Sequence, residues 1–296
     1  MILKGLFRHR LAFVSGLVLL LFIILALIAP WLALMVGYDN ESVDLFNRFS
    51  PSSSQHFLGT DELGRDFLFR LLLGGRISLL VGLCAALTSA CLGTVIGVIA
   101  GYFGGRMDAF LMRFTDAIIS LPLLPLLIIL AAIDPVKLGL ADSVLSSDNV
   151  SLYRIILIVT LFGWTTVARL VRGATLSLRE RDFIMAAKAQ GASSSRIIRV
   201  HILPGLASPI IVATTLSAGN IILLESVLSF LGLGIQPPVP SWGNLLTNAQ
   251  ELIWEAPALA FFPGAMILLT VICFNFLGDG LQDALDPRSH RRNQNT

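Results

Sequence analysis

The sequence predicts an all-α membrane protein with six transmembrane helices. Three observations carry that prediction. Only 14% of the 296 residues are charged and 55% are hydrophobic. A soluble domain carries roughly 25% charged residues, so this chain has too little charge to coat a water-facing surface of its size. A soluble enzyme and a disordered chain are both excluded, in keeping with a mean hydropathy of +0.81. Six apolar stretches are free of charge, at roughly 20 residues needed per crossing. Finally, six crossings divide the 21 basic residues 15 to 6 between the two faces. That bias is what the positive-inside rule requires if both termini are cytoplasmic.

The stretches follow in order. Leu11 to Tyr38 comes after Lys4, Arg8 and Arg10 and is too long for a signal-peptide core, so it reads as a retained helix. Ile77 to Gly105 carries Gly93, Gly97 and Gly101 at every fourth residue, a spacing that lets a second helix approach closely. Ala117 to Ile133 contains Pro122 and Pro125, which free backbone carbonyls and bend a helix; Asp116 just before it is expected near a helix N-terminus, where a negative charge is favourable. Ile155 to Ala168 is short, but Arg154 and Arg169 can snorkel from its ends. Ile202 to Leu224 and Ala256 to Gly278, with Pro209 and Pro263, complete the set. None alternates at period two, so a β-barrel is excluded.

The longest cytoplasmic connection holds seven of the fifteen inside-facing basic residues. Residues 179 to 190 are strong helix formers without a breaker, and Gly191 offers a left-handed stop. Ser193 to Ser195 can cap a second helix, and Pro204 is expected to close the unit at the mouth of the fifth crossing. Phe183, Ile184, Ala187, Ile197 and Ile198 would face a groove or the bundle.

Within this unit, Ala186-Ala187, Gly191 and His201-Ile202-Leu203-Pro204 resemble the EAA motif of ABC importer permeases, with Met185 in place of the usual Glu and His201 in place of the usual Ile. The resemblance covers nearly the whole chain. Leu58 to Asp66, Ala100 to Gly105, Leu228 to Gly234, Pro237-Pro238, Ser241-Trp242-Gly243 and Gly278 to Pro287 are similar to the C-type permease subunit of dipeptide, oligopeptide and nickel importers. The resemblance implies a type I importer (MetI-like) bundle in a bacterial or archaeal cell membrane. It implies three regions: residues 1–73, an N-terminal helix and extracytoplasmic segment; residues 74–284, the permease domain; and residues 285–296, a cytoplasmic tail.

The resemblance also implies a mechanism. Met185, Ala186, Ala187, Gly191, His201, Leu203 and Pro204 would form a coupling element docked on a separate ATPase, and Gly191→Asp should uncouple transport while leaving the chain membrane-inserted. The implied partners are a second homologous permease, two ATP-binding subunits, an extracytoplasmic solute-binding protein and the lipid bilayer; no nucleic acid is implied. No lysine follows a GxxxxGK[ST] loop, so this chain is expected to bind no cofactor, with ATP and Mg on the ATPase chains. Peptides are the expected cargo, with nickel chelates or glutathione as the alternative.

Asn220, Glu225 and Asn275 are candidates to line the passage, because polar groups at membrane depth are functional by default. Glu225 can equally pair with an arginine or stay solvated at the interface, and Asn275 and Asp279 can serve helix–helix hydrogen bonding. Residues 37–73 read as an ordered outer element, 134–151 as variable surface, and Trp242 and Trp254 as interface anchors. His56 reads as a loop histidine with no ligand role. Cys84, Cys91 and Cys273 lie in apolar runs and read as small core residues. A channel lacks its filter segment, an intramembrane protease its second aspartate, and a proton-coupled transporter its mid-helix carboxylates and inverted repeat.

Overall fold

The computed structural model describes residues 9–39, 42–133 and 150–285. The basic residues Lys4, Arg8, Arg288, Arg291 and Arg292, the loop segment 134–149 and the tail beyond Leu285 lie outside the described residues. The helices are α1 (Arg10–Val36), α2 (Phe67–Phe103), α3 (Gly105–Ser120), α4 (Leu123–Ala132), α5 (Val150–Arg179), α6 (Asp182–Ala189), α7 (Ser194–Ile197), α8 (Leu203–Phe230), α9 (Ala249–Leu252) and α10 (Pro257–Leu285). A π-helical turn, Ile198–Ile202, joins α7 to α8.

Five helical spans are long and apolar enough to cross a membrane: α1, α2, α5, α10 and the continuous run Ser194–Phe230. The third predicted span is not one straight helix. It is the pair α3 and α4, bent by 83°. Pro122 disfavours helical backbone at the residue before it, and Leu121 is extended (φ −75°, ψ 138°). Asp116 therefore opens nothing; α3 begins eleven residues earlier, at Gly105. The expected boundary at residue 73 falls inside α2, because Arg70 and Arg76 interrupt the apolar run without interrupting the helix.

Packing registers reveal the direction of each helix. A Cβ added to Gly93 would lie 2.7 Å from Val167 Cβ, to Gly97 2.8 Å from Val171 Cβ, and to Gly101 2.7 Å from Thr175 Cβ. Both series rise by four, so α2 and α5 run parallel along this seam. The chain must then recross the membrane between them, and α3 with α4 does so. Asp108 of α3 bonds Arg172 near the end of α5, whereas Leu127 and Ala131 of α4 share a cluster with Leu152 and Ile155 near its start. The twenty residues from Leu152 to Arg172 rise about 30 Å, the thickness of the hydrocarbon core.

Three further pairs are antiparallel. Gly82 of α2 meets Ile222 of α8 while Ser78 meets Glu225. Gly219 and Gly278 place α8 against α10 through Phe274 and Leu216. Gly16 and Gly280 place α10 against α1 through Leu277 and Ala12. Six alternating passes leave both described ends on one side, where His9 Nε2 lies 3.1 Å from Asp283 Oδ2.

The segment between α1 and α2 is ordered by Asp61. Its carboxylate accepts from the N–H groups of Leu63 and Arg65, both at 2.9 Å, and pairs with the side chains of Arg65 (2.8 Å) and Arg70 (3.3 Å). His56 Nδ1 lies 2.9 Å from Asp66 Oδ2, and Asp66 Oδ1 caps α2 by accepting from Phe69 N. Among the described residues no group of three or more His, Cys, Asp or Glu is placed to hold a metal ion.

Candidate functional site

On the side where the described ends meet, α5 continues past the bundle and turns into α6. Gly191 ends α6 with φ +78°. Its N–H donates to Lys188 O and that of Ala192 to Ala187 O, both at 3.0 Å. These two bonds form a Schellman turn, which needs a left-handed residue here. Ser193 Oγ then accepts from Arg196 N at 3.4 Å and starts α7. Pro204 does not close the unit. It sits in the first turn of α8, directly after the π turn, so its missing N–H is accommodated and the helix runs on.

The unit has two faces. Ile184, Ile197 and Ile202 are buried in one cluster with Val98 and Tyr102 of α2, Val167 and Val171 of α5, and Leu206 and Ala213 of α8. Ala187 and Ile198 pack against it. Phe183 and Met185 are half exposed, at 51% and 52%, and Ala186 is exposed beside them. Phe183, expected among the inward-facing residues, instead lies over His201 with ring centres 6.1 Å apart. Leu203 and Pro204 are exposed and His201 is half-buried. Arg179 Nη1 donates to the carbonyls of Gly101 and Tyr102, both at 3.2 Å, and so satisfies the C-terminus of α2. Lys188 Nζ stands 5.4 Å above the Tyr102 ring. The short helices are thus fastened to α2, α5 and α8 at once, while a small-residue and methionine face points outward.

A cavity of about 490 Å³ lies between the bent pair, α5 and α8. Its polar lining comes from Thr165, Thr166, Ser217 and Asn220, and its apolar lining includes Ile118, Leu121 and Phe162. Asn220 is therefore at a cavity wall. Asn275 is not among the residues that line this cavity; its Nδ2 donates to Val271 O of its own helix at 2.9 Å.

Glu225 is enclosed and does not line the cavity. It is fully buried and accepts from Ser78 Oγ of α2 (3.1 Å) and Ser229 Oγ of α8 (2.7 Å). Both serines also hold the loop after α8: Ser229 Oγ accepts from Ile235 N at 3.0 Å and Ser78 Oγ from Trp242 N at 3.1 Å. The carboxylate is the hub of a tie between two spans and the loop after α8. Trp242 is correspondingly no interface anchor. It is 1% exposed, packs on Gly75 and donates from Nε1 to Leu71 O at 3.0 Å. Trp254 is 92% exposed.

Two ion pairs went unforeseen in the sequence. Arg172 forms a fork on Asp108, with Nε and Nη2 at 2.5 and 2.7 Å from its two oxygens. Arg169 Nη2 lies 2.6 Å from Asp116 Oδ1. Both arginines lie within α5, so they belong to a helix–helix contact and not to a loop. Partners 53 and 64 residues apart leave no local signature.

Residues 93–291 match the family model of the binding-protein-dependent transport system inner membrane component. This chain belongs to that family. Residues 1–51 of the permease also match the N-terminal TM domain of oligopeptide transport permease C. The permease is 41% identical over 285 residues to the dipeptide transport system permease protein DppC of Alkalihalophilus pseudofirmus, covering 96% of this chain and 88% of that one. It is 39% identical over 282 residues to the oligopeptide transport system permease protein OppC of Haemophilus influenzae (95% and 86% covered). It is 40% identical over 282 residues to the glutathione transport system permease protein GsiD of Pectobacterium atrosepticum (95% and 88% covered). The permease is thus a multi-pass inner-membrane subunit of an ABC importer, with the nearly all-helical type I fold.

Proposed function

We propose that this permease carries peptides inward by alternating access, with the α6–Gly191–α7 unit docked on an ATP-binding subunit. The observation that carries this reading is the two-faced unit itself. Its isoleucines are rooted in α2, α5 and α8, while Met185, Ala186 and Phe183 stay open. A push on the open face is delivered to three spans together. Nucleotide shifts the inward–outward equilibrium only through its differential affinity for the two states, so the docked unit must move between them.

The assembly consists of this chain, a second homologous permease, two ATP-binding subunits that hold ATP and Mg, and an extracytoplasmic solute-binding protein. Both termini are cytoplasmic, which puts the docking unit on the ATPase side. The cavity with Asn220 and Ser217 contributes half of the passage. Peptide cargo is favoured by the names of the dipeptide and oligopeptide relatives; glutathione, itself a peptide, is the second choice by the same reasoning, ahead of nickel chelates.

The test is a single cysteine at Ala186, cross-linked to ATP-binding subunits in proteoliposomes containing the whole complex. Cross-linking that changes in yield with ATP, together with peptide uptake that stops without ATP, is the expected result. Uptake that continues without ATP would refute the coupling.

A further inference from the structure

The two ion pairs that tie α3 to α5 differ in kind. Arg172 and Asp108 form a closed fork with side chains 34% and 16% exposed. Arg169 and Asp116 make a single hydrogen bond, and their side chains are 49% and 60% exposed. The open pair also lies at membrane depth. Arg169 follows Ala168, which packs on Gly97. Gly97 is six residues past the midpoint of the charge-free stretch 77–105, so the pair sits about 9 Å inside the bilayer centre. Two charged groups with that much free surface do not face hydrocarbon. They stand just beyond the cavity wall instead, without lining it: Ile118 and Ile119 of the wall come two and three residues after Asp116, and Thr165 and Thr166 stand one turn before Arg169.

We propose that Asp116 and Arg169 form a charge-exchange station at the inner mouth of this cavity for substrates with one free ammonium and one free carboxylate. Arg169 leaves Asp116 to hold the substrate carboxylate, Asp116 holds the ammonium, and the two re-pair once the substrate has passed. A single bond between exposed groups is exchangeable, because water solvates each charge during the switch; the two-bonded, less exposed fork at Asp108 is held more firmly. The inference rests on the cavity being the passage.

The experiment is uptake of radiolabelled dialanine by the complete reconstituted complex at saturating binding protein, with ATP hydrolysis measured in parallel. Arg169→Gln and Asp116→Asn should each lower uptake about tenfold, the worth of one charge-assisted hydrogen bond. Binding-protein-stimulated ATP hydrolysis should stay within about twofold, because neither residue touches the docking unit. Arg169→Lys keeps one charged donor and should retain at least about half of the uptake. The decisive variant is the double swap, Asp116→Arg with Arg169→Asp. It rebuilds the ion pair but reverses the order of charges met by the substrate, so uptake should stay low. A swap that restores uptake, or single variants that import normally, or a lysine as poor as glutamine, would overturn the station. If the unaltered complex imports no dialanine while another cargo drives its ATP hydrolysis, the peptide reading falls and the station with it. Peptide import indifferent to these residues removes the station alone.

Discussion

Gly191 offers a clean test of the docking unit because nothing lies within 4 Å of the position a Cβ would take. Substitution there changes backbone preference and no contact. The residue is held at φ +78°. Left-handed backbone costs an ordinary L-residue about 1–2 kcal/mol, and less for Asn, whose side chain tolerates that region. A β-branched residue is a genuine outlier there. For Gly191→Ala the cost lowers the population of the turned unit by about 5–30-fold. The assay is peptide imported per ATP hydrolysed in proteoliposomes. The coupling ratio should fall in the order Gly, Asn, Ala, Val, with the same amount of chain inserted in the membrane. Equal loss for Asn and Ala, or a Val variant that couples normally, would show that the turn geometry is not what transmits the motion.

Three further outcomes follow from the packing. Gly97→Leu should lower the melting temperature of the solubilised protein, at a cost of about 3 kcal/mol, because the seam has no room for side-chain atoms beside Val171; Gly173→Ala on the same seam helix, with nothing within 4 Å, should not lower it and should raise it slightly, because Ala favours helix by about 0.5–1 kcal/mol over Gly. Glu225→Ala strands the hydroxyls of Ser78 and Ser229 and empties a buried site, costing about 2–4 kcal/mol; faster protease cleavage between residues 231 and 248 should report the loosened loop, and unchanged cleavage would sink the hub. Tyr38 titrates late: burial pushes its phenol up to about 12, partly opposed by the positive charge of Arg70. The folded state thus holds a proton the unfolded chain releases, so its contribution to stability is intact below pH 10 and is lost as pH rises towards 12. Difference absorbance of the phenolate against Tyr38→Phe reads this directly.

Much of the fold was legible because its determinants are local. Each span must be apolar over its whole length, so charge-free runs mark them without reference to neighbours. Glycines at 93, 97 and 101 announce a close approach, and the structure places Val167, Val171 and Thr175 against them. The turn at Gly191 was legible for the same reason, since left-handed backbone selects its residue. Other readings failed where a local preference met a distant partner. Dipole reasoning puts Asp116 at a helix start, but in the structure it pairs with Arg169, 53 residues away. For Glu225 the sequence leaves open a place on the passage, an arginine partner or a structural, interfacial seat; its partner in the structure is Ser78, 147 residues away. Trp242 has the composition of an interface anchor, yet the small face of Gly75 gives it a buried seat. The bend at Pro122 was expected in kind but not in size, because the angle depends on what α4 packs against.

The sequence by itself determined that the chain crosses the membrane repeatedly and where the apolar middle of each crossing lies. Those properties depend on composition and on motifs read over a few residues. Only the tertiary structure decided which polar groups at membrane depth face a cavity and which are sealed. Asn220 and Glu225 lie five residues apart on one helix, and the sequence treats them alike. Helix rotation turns one to the cavity between α5 and the bent pair and the other to the serines of α2 and α8. The physical reason is that burial of a charge is settled by what meets it across the bundle, and that partner is set by packing, not by neighbours along the chain.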